Sequence, residues 1–344
     1  MAIEIIIDDI SETQWQMYAQ GFADYSIYQT WAYQQVRAET SGQQLSRFVV
    51  KDGERVMTMG QMRIMNVRPL GLRIGYVQWG PLFRGKNGEI RCSADAIAML
   101  RQIYLDRRVN ILRLVPNVCD GESGRQIEQM LGNSGFGRVG HLRPYHTVVV
   151  PLEAGDDELR RNLHQKWRNM LNKAEKTGVE IRQGTSGEYF SIFESLYRRT
   201  MERKHFAGLD IEEFSKSQQV LDERHKMNVI VAYLDGEPVS AHVSSYLGET
   251  AVVLFAASND AGLKCGASNL VWWRSFLAAR QAGMKSCDLG GIDPVDNPGV
   301  YQFKSRMGGK EVFHIGTFEA CSGSCVRGVW RLTEKLHTII KGTR

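Results

Sequence analysis

Cys287-Asp288-Leu289-Gly290-Gly291-Ile292-Asp293 reads as the end of an apolar strand that stops on an aspartate and two glycines. A short loop with Pro294 and Pro298 follows. Then Tyr301-Gln302-Phe303-Lys304-Ser305-Arg306-Met307-Gly308-Gly309 sets an aromatic-lysine pair ahead of a second double glycine. A lysine beside a glycine-rich strand end and a ring is a candidate binder of an anion or oxyanion. The alternative is a surface lysine before a turn.

Working outward from that stretch, alternating and helical periodicities predict elements on both sides. In the second half, helices are expected over 156–176 (closed by Gly178), 187–203 and 268–282 (stopped by Gly283). Strands are expected over 227–234, 237–247, 250–257, 286–289 and 310–318, and a basic helix over 325–340 closes the chain. In the first half, strand 3–7 precedes a helix capped by Ser11 with Gln14 three positions on. A helix over 28–38, a hairpin over 48–56 turning at Asp52-Gly53, and sheet segments over 57–66 and 72–79 follow. Helix 93–107, strand 110–115, helix 126–134 and strand 146–150 complete it. Each half thus runs helix, helix, Asp-Gly hairpin, strand, helix, strand. The two halves share no matching residue repeat, so the likeness is one of element order. A pair of duplicated α/β domains explains it, with the boundary near 151–157.

Composition limits what such a chain can be. The 344 residues are 43% hydrophobic and 24% charged with a net charge of +5, an ordinary globular balance long enough for two domains. The mild basic excess is compatible with a phosphate-bearing partner without demanding one. None of the six cysteines makes a CxxC pair, which argues against structural zinc and for a reducing compartment. No metal is expected. The acidic start Met1-Ala2-Ile3-Glu4 lacks the basic region of a signal peptide, and the longest apolar runs, such as 251–257, fall far below the roughly 18 residues of a membrane helix. A cytoplasmic protein without stable membrane insertion is expected. P-loop, dinucleotide-fingerprint, nucleophile-elbow and zincin motifs are missing, which lowers the odds of an NTPase, a dehydrogenase or a serine hydrolase.

Three basic segments remain. On helix 156–176, Leu159, Leu163, Trp167, Met170 and Ala174 form one apolar stripe, and Arg160, Arg161, Lys166, Arg168, Asn172, Lys173 and Lys176 cover the rest. That face is either a solvated surface or a phosphate-facing one for nucleic acid, held mainly by electrostatics because no aromatic ladder interleaves it. Tyr197, Arg198, Arg199, Arg203, Lys204 and His205 gather at a helix end, where cations also suit the helix dipole. Arg37 lies on the helix that Tyr28-Gln29-Thr30-Trp31 opens, either at the surface or toward an inter-domain cleft. The small-residue segment 260–268 precedes a helix, where acetyltransferases of the GNAT type hold the coenzyme A pyrophosphate. Its spacing departs from their basic-x-x-Gly-x-Gly/Ala pattern, and a plain helix entry accounts for it equally well.

The order Leu163-x-x-Lys166-Trp167-Arg168-Asn169-x-Leu171-x-Lys173-Ala174-Glu175-Lys176-x-Gly178-Val179, then Asp288-Leu289-Gly290-Gly291-Ile292, then Phe303-Lys304, resembles the Fem family of non-ribosomal peptidyltransferases. Gln29, Trp31 and Gly80-Pro81 add weaker matches, so the likeness covers nearly the whole chain. The resemblance implies two tandem GNAT-like domains with mixed sheets: 1–152, with the helix at 319–344 packing back on it, and 153–318. It implies a cleft between them and no coiled-coil arm. It also implies transfer of an aminoacyl group from aminoacyl-tRNA to an amine of a cell-wall precursor, with no other cofactor. Lys304 then matches the oxyanion-stabilising lysine and Phe303 its neighbour. Arg37 and Arg203 match phosphate-binding positions, the arginine at 37 standing where the family has lysine. Asp288 and Tyr301 would line the substrate site, with Asp288 one option for the proton acceptor, and Lys166, Arg168 and Lys173 would face tRNA. The alternative on the same fold is an acyl-CoA-dependent N-acyltransferase, motivated by 262–268. A third possibility is a non-catalytic binding or scaffold protein in envelope assembly.

Overall fold

Two short turns organise the molecule. In one, Asp235 and Gly236 both take positive φ (53° and 82°), the type I′ geometry whose twist matches that of the flanking strands. In the other, Gly53 takes φ 58° in the two-residue loop between Asp52 and Arg55. Each turn closes a long antiparallel hairpin, and each hairpin belongs to its own sheet.

The computed structural model describes residues 3–204 and 211–342. Along the chain the elements are β1 (Ile3–Ile7), α1 (Glu12–Ala19), α2 (Trp31–Ser41), β2 (Gln44–Asp52), β3 (Arg55–Val67), β4 (Leu72–Gln78), α3 (Ala94–Arg107), β5 (Ile111–Val115), α4 (Glu122–Asn133) and β6 (Gly137–Arg138). There follow β7 (His146–Pro151), α5 (Asp156–Asn162), α6 (Gln165–Ala174), β8 (Glu180–Gly184), α7 (Gly187–Lys204), α8 (Ile211–Val220), β9 (Asn228–Leu234), β10 (Glu237–Leu247), β11 (Thr250–Ser258), α9 (Asp260–Cys265) and α10 (Ala267–Gln281). The last are β12 (Ser286–Asp288), α11 (Pro298–Lys304), β13 (Lys310–Phe313), β14 (Phe318–Cys321) and α12 (Ser324–Gly342). Among the described residues no helix is long and apolar enough to cross a membrane.

The chain divides into a first unit of Met1–Phe22, Arg37–Pro144 and His314–Arg344, and a second of Ala23–Val36 and Tyr145–Phe313. The first holds a seven-stranded sheet in the order β1-β2-β3-β4-β5-β14-β6. α3 and α4 bury Ile97, Leu100, Tyr104, Ile127 and Leu131 with sheet residues such as Phe48 and Leu112. Val326 and Trp330 of α12 pack on Leu72, Ile74 and Ile111 of the same unit. The second unit holds the order β13-β7-β12-β11-β10-β9-β8. Its main core gathers Leu163, Trp167 and Leu171 with Trp272, Phe276 and Leu289. Taken from β1 and from β8, both sheets run through three antiparallel pairings, one parallel pairing and two antiparallel ones. The fold is a tandem of GNAT-like mixed α/β layers. The sixth place in each sheet is filled from the other half of the sequence, by β14 in the first sheet and β7 in the second. The division therefore falls at Pro144/Tyr145 rather than at 152/153.

Three expected elements are broken in the structure. The helix over 156–176 is two helices, because Leu163 is extended (ψ 138°) and His164 caps α6. The break lets Leu159, Leu163, Trp167, Leu171 and Ala174 all bury, with Leu171 in place of the expected Met170. Each buried leucine is worth about 1.5–3 kcal/mol, against about 0.5–1.5 kcal/mol for each helical hydrogen bond given up, so burial wins. The strand over 310–318 is split into β13 and β14 around Gly316 (φ 93°), one piece in each sheet. The helix over 28–38 becomes a single 3-10 turn at Ile27–Gln29, followed by α2.

Candidate functional site

β11 and β12 run parallel only from Thr250 to Val252 and from Ser286 to Asp288. Beyond that they part. β11 stays with β10, while Leu289 and Ile292 donate to the Val148 and His146 carbonyls and follow β7. Gly290 makes the corner at φ 80°, and a Cβ there would stand 2.9 Å from the Val253 carbonyl oxygen, so only glycine fits.

α11 returns the chain to this corner. Asn297 caps it by accepting from the Val300 amide (3.3 Å). The Phe303 ring packs 6.0 Å from both Trp167 and Trp272, which fixes where the next residue can reach. Phe303 is thus a packing anchor. Lys304 is half-buried, and its Nζ donates to the carbonyl oxygens of Gly290 (3.1 Å) and Gly291 (3.0 Å). An ammonium has three N–H groups, so one is left for a ligand. Burial lowers Lys304 to about 8, opposed by the Asp288 carboxylate and Cys287.

Asp288 lies behind the lysine. Its Oδ1 accepts from Thr147 Oγ1 (2.5 Å), the Gly290 amide (2.9 Å) and Tyr145 OH (3.3 Å), and the residue is 4% exposed. Burial raises its pKa while these donors and Lys304 pull it back. Protein donors thus engage Oδ1 of Asp288, the residue expected to line the substrate site. Tyr301, one turn before Lys304, donates to Glu311 Oε2 (3.1 Å). Nothing in the sequence marked Thr147, Tyr145 or His242. His242 is fully buried, with Nδ1 3.0 Å from Ser244 Oγ and its ring edge-on to Trp272 at 4.5 Å. Burial, helped by the Lys304 charge, lowers His242 to about 3.

The basic residues separate into distinct roles. Arg168 Nη1 donates to the carbonyls of Arg161 (2.7 Å), Leu163 (3.1 Å) and Arg160 (3.4 Å), closing the end of α5. Lys173 Nζ donates to the Lys264 carbonyl (2.9 Å). Lys166 is exposed, and its ammonium has no protein partner among the described residues. A shallow depression of about 400 Å³ is lined by Asn169, Asn172, Lys173, Lys176 and Thr177. In the first unit, burial raises the Tyr76 phenol, opposed in part by Arg63, Arg113 and Arg37. Arg203 falls in the last turn of α7, and its side chain, like that of Lys204 and all of His205, lies outside the described residues. Among the described residues no group of three or more His, Cys, Asp or Glu could hold a metal ion.

The start of α10 is closed. Gly266 is left-handed (φ 83°), a Cβ on it would lie 2.6 Å from the Met170 carbonyl of α6, and Ala267, Ser268 and Asn269 are buried. The amides that could receive a pyrophosphate are covered by the neighbouring helix.

Comparison with known proteins fits this geometry. The model of the FemAB family matches residues 135–237 and 211–323, together more than half of the chain. A lipid II:glycine glycyltransferase of Staphylococcus epidermidis is 22% identical over 201 residues, which cover 56% of this chain and 47% of that protein. One from Staphylococcus aureus is 25% identical over 213 residues, covering 58% and 48%. The chain spans about half the length of these relatives. A crystal structure of FemX superposes with a TM-score of 0.81 at 16% identity, covering 95% of this chain and 99% of that one.

Proposed function

Because the chain belongs to the FemAB family, we propose that it moves an aminoacyl group from an aminoacyl-tRNA to an amine of a peptidoglycan precursor, in the cytoplasm where charged tRNA is made. The relatives' names, lipid II:glycine glycyltransferase, support the reaction and the acceptor class. The observation that carries the reading is the seat of Lys304: two N–H groups fixed on the Gly290 and Gly291 carbonyls, and the third open at the corner where β11 and β12 part.

The acceptor nitrogen attacks the ester carbonyl carbon. A C–N bond forms, the C–O bond to the tRNA ribose breaks, and the ribose oxygen leaves with the proton that the amine gives up. Negative charge on the carbonyl oxygen is met by the open N–H of Lys304. Three hydrogen bonds on Asp288 Oδ1 favour a structural part for this carboxylate over that of proton acceptor. The vicinal hydroxyl of the tRNA or solvent carries the proton. Arg37 and Arg203 are assigned to precursor phosphates, and exposed Lys166 to the tRNA backbone. Burial of the start of α10 beside α6 favours the aminoacyl-tRNA donor over an acyl-CoA.

The test incubates purified protein with a radiolabelled mixture of charged tRNAs and a lipid II-type precursor, and follows the precursor's mass. Mass gain of one aminoacyl unit that ribonuclease abolishes supports the assignment. Gain that survives ribonuclease, or full-rate transfer by Lys304→Met, overturns it.

A further inference from the structure

The carbonyl pair that receives Lys304 is itself held in place by side chains more than a hundred residues away in sequence. Thr147 Oγ1 donates to Asp288 Oδ1 (2.5 Å) and stands 3.0 Å from the Gly290 carbonyl oxygen. Asp288 in turn accepts from the Gly290 amide (2.9 Å), so the corner residue's amide is tied to Asp288 while its carbonyl lies against the Thr147 hydroxyl. Lys304 closes the cluster from the other side, on the Gly290 and Gly291 carbonyls. Thr147 is fully buried and Asp288 nearly so. We propose that Asp288 and Thr147 are positioning residues for Lys304: they hold the Gly290-Gly291 turn so that its carbonyls seat the ammonium, and Asp288 supplies the buried negative charge that keeps it a cation.

Burial raises the pKa of Asp288, and its donors and the Lys304 charge favour its ionised form against that. The three groups that bond its Oδ1 are an amide and two hydroxyls, a set of donors that suits a carboxylate. Two carbonyls would accept from a neutral amine as well as from an ammonium, so they orient the lysine without deciding its charge. The titratable groups around it are Asp288 and Cys287 of β12, His242 of β10 and Tyr145 ahead of β7. Farther along, Tyr301 of α11 is engaged with Glu311 of β13. Burial pushes the Cys287 thiol and the Tyr145 phenol up and the His242 imidazole down, so all three are neutral near pH 7. Asp288 is therefore the main group that opposes the desolvation driving Lys304 down.

The inference deepens the transfer function proposed above, and its test does not need that function to hold. Protein labelled with ¹³Cε-lysine is titrated by NMR, with the Lys304 resonance identified by its loss in Lys304→Arg. The wild-type midpoint is expected near 8. Asp288→Asn should lower it by roughly one to two units, as expected for removal of an opposite charge at short range. Thr147→Val should lower it by less, and Thr147→Ser should restore it. An unchanged midpoint in a folded Asp288→Asn variant overturns the proposal. If that variant does not fold, an unchanged midpoint in Thr147→Val does so instead. In parallel, the basic limb of the transfer rate should move with the NMR midpoint. Wild-type protein that transfers nothing removes the transfer function and leaves the midpoints to decide the coupling.

Discussion

Lys304 is useful because it is uncomfortable. Burial brings its ammonium to about 8, within reach of working pH, while the Asp288 carboxylate opposes that fall and two carbonyls hold the ammonium in place. Transfer is therefore expected to fall as pH rises through about 8, which a pH–rate profile checks. Lys304→Met should lower the rate by roughly a hundred- to thousandfold, the usual cost of losing an oxyanion donor. Its thermal midpoint at pH 7 should fall, since the Gly290 and Gly291 carbonyls lose their donor and the buried Asp288 carboxylate its opposing charge. Two histidines act in the opposite pH range. His242 is held to about 3 and His314 to about 4 by burial, below the unfolded value of about 6.5. The unfolded chain thus binds more protons between these values, so stability falls on acidification through the window, at about 1.4 kcal/mol per pH unit for each histidine. Urea melts between pH 7 and pH 4 should find that slope reduced in His242→Phe.

At the scale of elements, the break between α5 and α6 separates residues that a continuous helix would have made equivalent. Arg168 closes the end of α5 on three carbonyls, whereas Lys166 points to solvent. Arg168→Ala should destabilise by about 1–2 kcal/mol in urea melts, the cost of leaving part-buried carbonyls unmet. Lys166→Ala should leave stability within about 0.5 kcal/mol and lower the salt slope of tRNA binding by about one. Local rules reach only part of this. The Asp235-Gly236 turn, the Ser11–Gln14 capping box and the Phe303-Lys304 pair carry their signals within a few residues, and the structure has the turn and the box where the sequence puts them. The extended Leu163 and the split at Gly316 answer to tertiary packing, and a 3.6-residue period is blind to it. Thr147 was invisible for the same reason: it looks like any strand residue until Asp288, far along the chain, is folded onto it.

For the whole molecule, the two matching series of strand pairings make the duplicated order of elements physical, and the likeness to the FemX structure over 95% of the chain fits it. The crossing of β7 and β14 means that cutting the sequence at its apparent boundary damages both sheets. A fragment over 153–318 lacks β7, which sits between β12 and β13, whereas one over 145–313 keeps all seven strands. The longer fragment should show a cooperative thermal transition by circular dichroism, and the shorter one should not.

β14 also sets a timetable. The slot between β5 and β6 waits for residues that leave the ribosome some two hundred positions later. Until then a nascent first half carries two raw strand edges. Synthesis order and assembly order therefore part company here, and the amino-terminal half cannot finish first, as it does in most multidomain chains.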